Sequence, residues 1–118
     1  PDRKGSGKGK GYNVNIHLPC GTTDKEIIST YENILVKKAN MFKPDFILIS
    51  SGFDSRVDDL LGCYKVTDEG FIELTKIIKN LAHIHCSDRI LSILEGGYNL
   101  QGNAKATIAH VKELNNFN

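Results

Sequence analysis

The sequence lacks the features that mark membrane and secreted proteins. Its apolar stretches are far shorter than the roughly 20 residues that a membrane-spanning helix requires. Its amino terminus lacks the series of basic, apolar and small residues that forms a signal peptide. These absences predict an intracellular protein, either cytoplasmic or nuclear, with no membrane partner.

The chain also lacks an excess of charge of either sign. Its 118 residues include 15 Lys and Arg and 14 Asp and Glu, which gives a net charge of +1. A hydrophobic content of 40% suits one modest soluble domain. Because there is no basic excess to attract phosphate groups, we expect no direct binding to nucleic acid.

Cysteine is scarce, and the three that occur are Cys20, Cys63 and Cys86. Their odd number and their spacing fit neither a disulfide framework nor a paired Cys-X-X-Cys zinc site. They are therefore predicted to be free thiols in a reducing compartment. The chain begins with Pro1 rather than methionine, which predicts that it belongs to a longer protein.

The hydrophobic periodicity alternates between that of a strand and that of a helix. In order, the predicted elements are a strand over 12–18, a helix from Thr23 to about Phe42, a strand over 46–50, a helix from Thr67, a strand over 89–94 and a helix over 103–114. Thr23 and Glu26 have the spacing of a capping box, in which each side chain satisfies a free amide of the first turn. This order predicts an α/β fold in which helices cover both faces of a parallel sheet, a three-layer arrangement.

Two of the predicted strands end in residues that can do chemistry. One apolar run is followed by Gly52, Phe53 and Asp54, and the other by a pair of glycines and Tyr98. In open α/β sheets, ligands bind beyond the carboxyl ends of the strands, so both groups fall at the same edge. The sequence therefore predicts a functional site at this edge.

Each of these two side chains also has a purely structural interpretation. An aspartate after a strand commonly caps a turn, and a catalytic zinc needs about three protein ligands, so Asp54 alone is not a site. A tyrosine at a strand end is often a packing residue, although the phenol of Tyr98 could donate to a carbonyl oxygen that gains negative charge. Position alone leaves these alternatives open.

Two other segments contain residues that suggest ligand binding. The Gly-rich and Lys-rich segment 5–11 has the composition of a phosphate-binding loop but not its spacing, which favours a flexible surface segment over a phosphate site. His83 and His85 are two residues apart near a predicted helix end, where side chains at that spacing point in different directions. They are not expected to bind one ion.

Six motifs in order carry a resemblance to a known family. They are Gly11-Tyr-Asn-Val-Asn-Ile-His-Leu-Pro19, Gly21-Thr-Thr-Asp24, Phe42-Lys-Pro-Asp45, Ser50-Ser-Gly-Phe-Asp54, Asp58-Asp-Leu-Leu-Gly62 and Leu94-Glu-Gly-Gly-Tyr-Asn99. Together they resemble the carboxyl-terminal part of the zinc-dependent histone deacetylase superfamily, which includes acetylpolyamine amidohydrolases and acetoin-utilisation-type proteins. The resemblance is greatest to the class II and bacterial branch.

The resemblance implies an arginase-like α/β fold and a Zn²⁺ ion, or another divalent metal, held by two aspartates and one histidine. Asp54 matches the second of those aspartates, and Tyr98 matches the catalytic tyrosine. Gly96 and Gly97 match the glycines that shape the loop before that tyrosine. The implied substrates are acetylated lysine peptides or acetylpolyamines.

The chain also departs from the family pattern. It lacks the Asp-X-His ligand motif and the tandem histidines, which lie upstream in the family. Ser51 replaces the usual alanine, and Leu60 stands where proline is frequent. Residues 1–118 are therefore expected to be the carboxyl-terminal portion of one deacetylase domain, inactive without the amino-terminal portion as its partner. The alternative is a non-catalytic structural or interaction module.

Overall fold

The computed structural model describes residues 3–116. Its main elements are α1 (Asp24–Thr30), a π-helical segment (Tyr31–Leu35), α2 (Val36–Phe42), β1 (Ile47–Ser51), α3 (Asp68–Cys86), β2 (Ile90–Leu94) and α4 (Leu100–Asn115). From the first helix onward, the predicted order of elements is confirmed. None of the helices in this range is long and apolar enough to cross a membrane.

The strand predicted over 12–18 is wrong. These residues form no regular structure, and Tyr12 and Val14 are 73% and 48% exposed. The side-chain amides of Asn13 and Asn15 instead donate to the carbonyl oxygen of Arg3, at 3.0 and 2.7 Å. An alternating sequence becomes a strand only when another strand accepts its backbone hydrogen bonds, and no strand within residues 3–116 lies beside this segment.

The two observed strands form a parallel pair. Ile47 lies opposite Ile90, and the register continues to Ser51 opposite Leu94. Helix α3 makes the crossover between the strands, as a parallel connection requires. Both strands therefore end at the same edge of the sheet.

Helices cover one face of this sheet. The core cluster contains Phe53, Val66, Phe71, Leu74 and Ala106, and the rings of Phe53 and Phe71 meet edge to face at 5.1 Å. On the other face the described residues provide no cover. The large apolar side chains that remain exposed there are Leu48 (68%), Leu91 (49%) and Ile93 (50%).

The starts of α1 and α3 are joined by side-chain caps. The Thr23 amide donates to the Glu26 carboxylate at 2.9 Å, which confirms the predicted capping box. Asp24 accepts from the amide and the hydroxyl of Thr67, at 2.8 and 2.6 Å, and Thr67 in turn caps α3. Any side chain at Gly70 would overlap the Asp24 carboxylate, which explains the glycine.

A buried arginine ties the long loop after β1 to the start of α3. Arg56 is 9% exposed and donates twice to Asp68, at 2.8 and 3.0 Å, and also to Asp58. The hydrogen bonds from Arg56 hold the pKa of the Asp68 carboxyl below its usual range, despite the opposing effect of burial. Paired guanidinium donors of this kind fix geometry as well as charge.

The cysteines are free thiols, as predicted. Cys20 and Cys63 are exposed and Cys86 is buried. The Cys20 Sγ donates to the Cys63 carbonyl oxygen at 3.5 Å, and the Gly21 amide donates to the same oxygen at 2.8 Å. Hydrogen bonding with the Cys20 side chain is the main cause that raises the pKa of the Cys63 thiol.

A buried histidine joins the sheet to α3 and α4. His110 is 7% exposed, and its ring contacts Thr75 of α3 at 2.7 Å and Ser92 of β2 at 2.8 Å. Ser51 of β1 lies 3.3 Å from the same ring. Burial lowers the pKa of His110 below its usual value of 6.5. The adjoining cavity of about 110 Å³ is lined by one other titratable group, Tyr31, and by no charged side chain of the described residues.

We expect His110 to make stability sensitive to mild acid. In the unfolded chain its imidazole takes up a proton near pH 6.5, whereas in the folded chain it stays neutral to lower pH. The free energy of unfolding should therefore fall as the pH drops from about 6.5 towards the lower folded-state pKa, by at most about 1.4 kcal/mol per pH unit.

Urea unfolding between about pH 5 and pH 8 measures this slope. The variant His110→Gln, which does not titrate, should lose that part of the slope. An unchanged slope in this variant would show that other groups cause the acid sensitivity.

Candidate functional site

The carboxyl ends of β1 and β2 form a rim that backbone hydrogen bonds continue beyond the strands. The Glu95 amide donates to the Ser51 carbonyl at 3.0 Å. The Phe53 amide donates to the Gly96 carbonyl at 2.7 Å. These two backbone hydrogen bonds therefore fix the segment that leads to Asp54 against the segment that leads to Tyr98.

The structure brings the Asp54 carboxylate and the Tyr98 hydroxyl together. A Cβ atom placed on Gly96 would lie 2.8 Å from the Asp54 Oδ2 and 3.4 Å from the Tyr98 hydroxyl oxygen. The two oxygens therefore lie no farther apart than the sum of these distances. One small acyl group or ion between them could touch both.

Glycines surround Asp54 closely. A Cβ on Gly52 would lie 3.3 Å from the Asp54 Oδ1, and one on Gly62 would overlap the Asp54 carbonyl oxygen. A Cβ on Gly96 would lie close to the Asp54 Oδ2, as described above. Glycine is required at Gly62, because the backbone of Asp54 passes too close for any side chain there. Gly62 belongs to the sequence motif 58–62, but sequence reasoning assigned it no role.

A second aspartate holds the tyrosine turn in place, and sequence reasoning missed it. Asp59 accepts from the Tyr98 amide at 2.7 Å, and from the amides of Leu61 and Gly62 at 2.9 and 2.8 Å. Burial raises the pKa of the Asp59 carboxyl, but these backbone donors outweigh that effect and keep the pKa below its usual value. Asp59 is therefore an acceptor that fixes the loop.

Two asparagines complete the support of this turn. Asn99 caps α4 by accepting from the Gly102 amide at 3.0 Å, and its own amide donates to the Asp58 carbonyl at 3.0 Å. Asn103 donates to the Gly97 carbonyl at 2.9 Å. Gly97 has φ 142°, a backbone conformation that glycine adopts readily. Helix α4 therefore begins at Leu100, earlier than the predicted Asn103.

Asp54 caps no backbone amide among residues 3–116. Its carboxylate is half-buried and has no hydrogen-bond partner among residues 3–116. The neighbouring Phe53 is 4% exposed and anchors the turn in the core. A half-buried carboxylate without a partner suits a cation. Within the described part of the chain, no group of three His, Cys, Asp or Glu side chains could hold a metal, so these residues do not form a complete site of three protein ligands.

The other two candidate segments are the histidine pair and the Gly-rich and Lys-rich segment. His83 Nδ1 lies 3.1 Å from Asp88, and His85 Nε2 lies 2.8 Å from Asn40, so the two rings point to different partners as predicted. The Gly-rich and Lys-rich segment is exposed and contains one short 3₁₀ turn, Gly7–Gly9.

Comparison with known proteins identifies the family of this chain. The model of the histone deacetylase domain matches residues 1–114. This chain belongs to the histone deacetylase domain family. The resemblance in the six motifs is thereby confirmed over nearly the whole chain.

Relatives of this deacetylase-family chain come from plants and archaea. It is 40% identical to histone deacetylase 15 of Arabidopsis thaliana over 114 residues, which is 96% of this chain and 20% of that protein. It is 39% identical to a probable deacetylase of Archaeoglobus fulgidus over 102 residues, 86% of this chain and 28% of that protein. The chain thus spans a fifth of the length of the first relative and just over a quarter of the second.

Solved structures give the same fold. The crystal structure of the HDA15 HD domain matches with a TM-score of 0.87 and 39% identity, over 94% of this chain and 31% of that one. The structure of the histone deacetylase Clr3 matches with a TM-score of 0.87 and 29% identity, over 94% and 18%. The α/β fold of a deacetylase domain, predicted from the motifs, is confirmed.

We expect Gly62→Ala to disturb the Asp54 turn. The added methyl group overlaps the Asp54 carbonyl, so the backbone must shift, and overpacking of this kind costs about 1–3 kcal/mol. Thermal unfolding measures the loss. The control is Gly9→Ala, where a Cβ meets no atom within 4 Å, and its effect should stay within about 0.5 kcal/mol. Equal effects of the two substitutions would contradict the crowding at Gly62.

Proposed function

We propose that this chain is the carboxyl-terminal part of a metal-dependent amidohydrolase that removes acetyl groups from N-acetyl-lysine in proteins or from acetylated polyamines. The observation that carries the proposal is the convergence of the Asp54 carboxylate and the Tyr98 hydroxyl at one rim. These are the two residue types that the family resemblance assigns to metal binding and to carbonyl polarisation.

In this proposal Asp54 supplies one oxygen ligand to Zn²⁺ or another divalent ion. Such an ion, when bound, acts as a Lewis acid and lowers the pKa of a coordinated water to about 7. The absence of a hydrogen-bond partner for Asp54 within residues 3–116 leaves both of its oxygens available for this role.

Tyr98 acts on the substrate. Its hydroxyl donates a hydrogen bond to the acetyl carbonyl oxygen, which gains negative charge when water attacks the carbonyl carbon. Asp59 fixes the Tyr98 amide, Gly96 allows the backbone to pass beside Asp54, and Gly97 allows it to pass beside Asn103. Because this arrangement exists before substrate binds, little reorganisation is needed in the transition state.

The remaining ligands and the proton-transfer group come from the rest of the domain in this proposal. The chain spans 20% and 28% of two curated relatives, and Asp54 is one ligand where about three are needed. The exposed apolar face formed by Leu48, Leu91 and Ile93 offers a surface for that missing part to cover.

A non-catalytic module is the alternative. The sequence before residue 1 separates the two possibilities, because tandem histidines and an Asp-X-His motif there support an enzyme. The names of the relatives, which are deacetylases, favour the enzyme.

We expect Tyr98→Phe to lower turnover of an acetyl-lysine peptide in the full-length protein. Loss of one hydrogen-bond donor to a developing oxyanion typically reduces kcat by about 10²- to 10³-fold. The metal content, measured by elemental analysis, should not change. Tyr12→Phe is the matched control, since Tyr12 is 73% exposed and its ring packs against Phe42. Parent-like turnover of Tyr98→Phe would refute the role of the tyrosine.

We expect Asp54→Asn to reduce the bound metal in the full-length protein. The amide keeps the size of the side chain but removes the charge that attracts a divalent ion. Asp45→Asn is the control, because Asp45 is exposed at the opposite end of β1. Elemental analysis after dialysis against a weak chelator compares the three proteins. Equal metal content in all three would exclude Asp54 as a ligand.

A further inference from the structure

A series of hydrogen bonds through His110 ends at the carboxyl end of β1. The Thr75 hydroxyl donates its single proton to the Phe71 carbonyl at 2.6 Å, because a carbonyl oxygen can only accept. The Thr75 oxygen can then only accept from the His110 Nδ1, 2.7 Å away. His110 therefore carries its proton on Nδ1.

The opposite ring nitrogen sets the direction of the two serine hydroxyls. A neutral imidazole with its proton on Nδ1 accepts at Nε2, so Ser92 donates to it over 2.8 Å. Ser51 then donates to Ser92 over 2.6 Å. A proton on Nε2 would make that nitrogen a donor, and one of the two serine protons would then lack an acceptor within this network of described residues.

We infer that His110 is a positioning residue for Asp54. Ser51 is the last residue of β1, so its side chain fixes the point where the chain leaves the sheet for Asp54. The Phe53 ring, directly before Asp54, meets the His110 ring edge to face at 5.9 Å. His110 thus contacts the residues on both sides of Gly52 in the turn that leads to the carboxylate.

The same contacts extend to the tyrosine turn. The Ser51 carbonyl accepts from Glu95, and the Phe53 amide donates to Gly96, so the two residues that His110 contacts also bind the segment before Tyr98. The contacts of the Ser51 hydroxyl with Ser92 and His110 explain a serine at this position, where the family resemblance predicts alanine. The inference rests on the proposed function, because it is the placement of Asp54 that matters for turnover.

The decisive variant is His110→Leu in the full-length protein. Leucine fills much of the ring volume but leaves the hydroxyls of Ser51 and Ser92 without their buried partner. A misplaced catalytic group affects the chemical step more than substrate binding, so kcat should fall about tenfold while KM changes by less than about twofold.

His110→Gln supplies the conservative comparison. Its amide keeps one donor and one acceptor separated by a single carbon, as in the imidazole, and kcat should stay within about threefold of the parent value. His83→Leu is the control for loss of a histidine, since the His83 side chain is 76% exposed and, within residues 3–116, pairs with Asp88 alone. It should leave kcat unchanged.

NMR spectroscopy tests the inference without a measurement of enzymatic turnover. In ¹⁵N-labelled protein, His110 should show the Nδ1–H tautomer at neutral pH. The backbone amide signal of Asp54 should move in His110→Leu but remain close to its parent position in His110→Gln.

Three results would overturn the inference. They are a proton on Nε2, a folded His110→Leu protein with an unmoved Asp54 signal, and a His110→Gln protein that is as impaired as His110→Leu. If the parent protein shows no deacetylase activity, the proposed function fails, and the tautomer and the Asp54 signal still decide the role of His110.

Discussion

The parallel pairing of β1 with β2 is the constraint on which the site depends. Because the two strands run in the same direction, Ser51 and Leu94 end at one edge, and the chain must turn there twice. The two backbone hydrogen bonds beyond the strands continue this pairing into the turns. Asp54 and Tyr98 therefore meet as a result of backbone geometry, before any attraction between their side chains matters.

The loop after β1 uses two aspartates in opposite ways. Asp59 accepts from three backbone amides and holds the loop through both of its carboxylate oxygens. Asp54 has no such donor within residues 3–116 and is enclosed by glycines. A carboxylate satisfied by amides stabilises structure, whereas the carboxylate kept free of them at this half-buried rim is the one to which the proposed function assigns a cation. The surrounding backbone, rather than the residue type, makes this distinction.

Sequence reasoning found the residues whose role follows from their own segment. The rule for parallel strands placed Asp54 and Tyr98 at one edge, and Thr23 with Glu26 marked a helix start. Sequence reasoning failed where the structure of a residue depends on a partner in another part of the chain. Residues 12–18 alternate like a strand but have no neighbouring strand within residues 3–116, and His110 gave no signal because its partners come from three other elements.

The uncovered face of the sheet has a practical consequence for handling the molecule. Leu48, Leu91 and Ile93 form an exposed apolar surface on strands whose outer edges also carry free backbone donors and acceptors. Such edges recruit further strands, and apolar patches beside them promote aggregation. Expressed alone, these 118 residues would self-associate at high concentration. Purification of these residues alone therefore calls for a solubilising fusion.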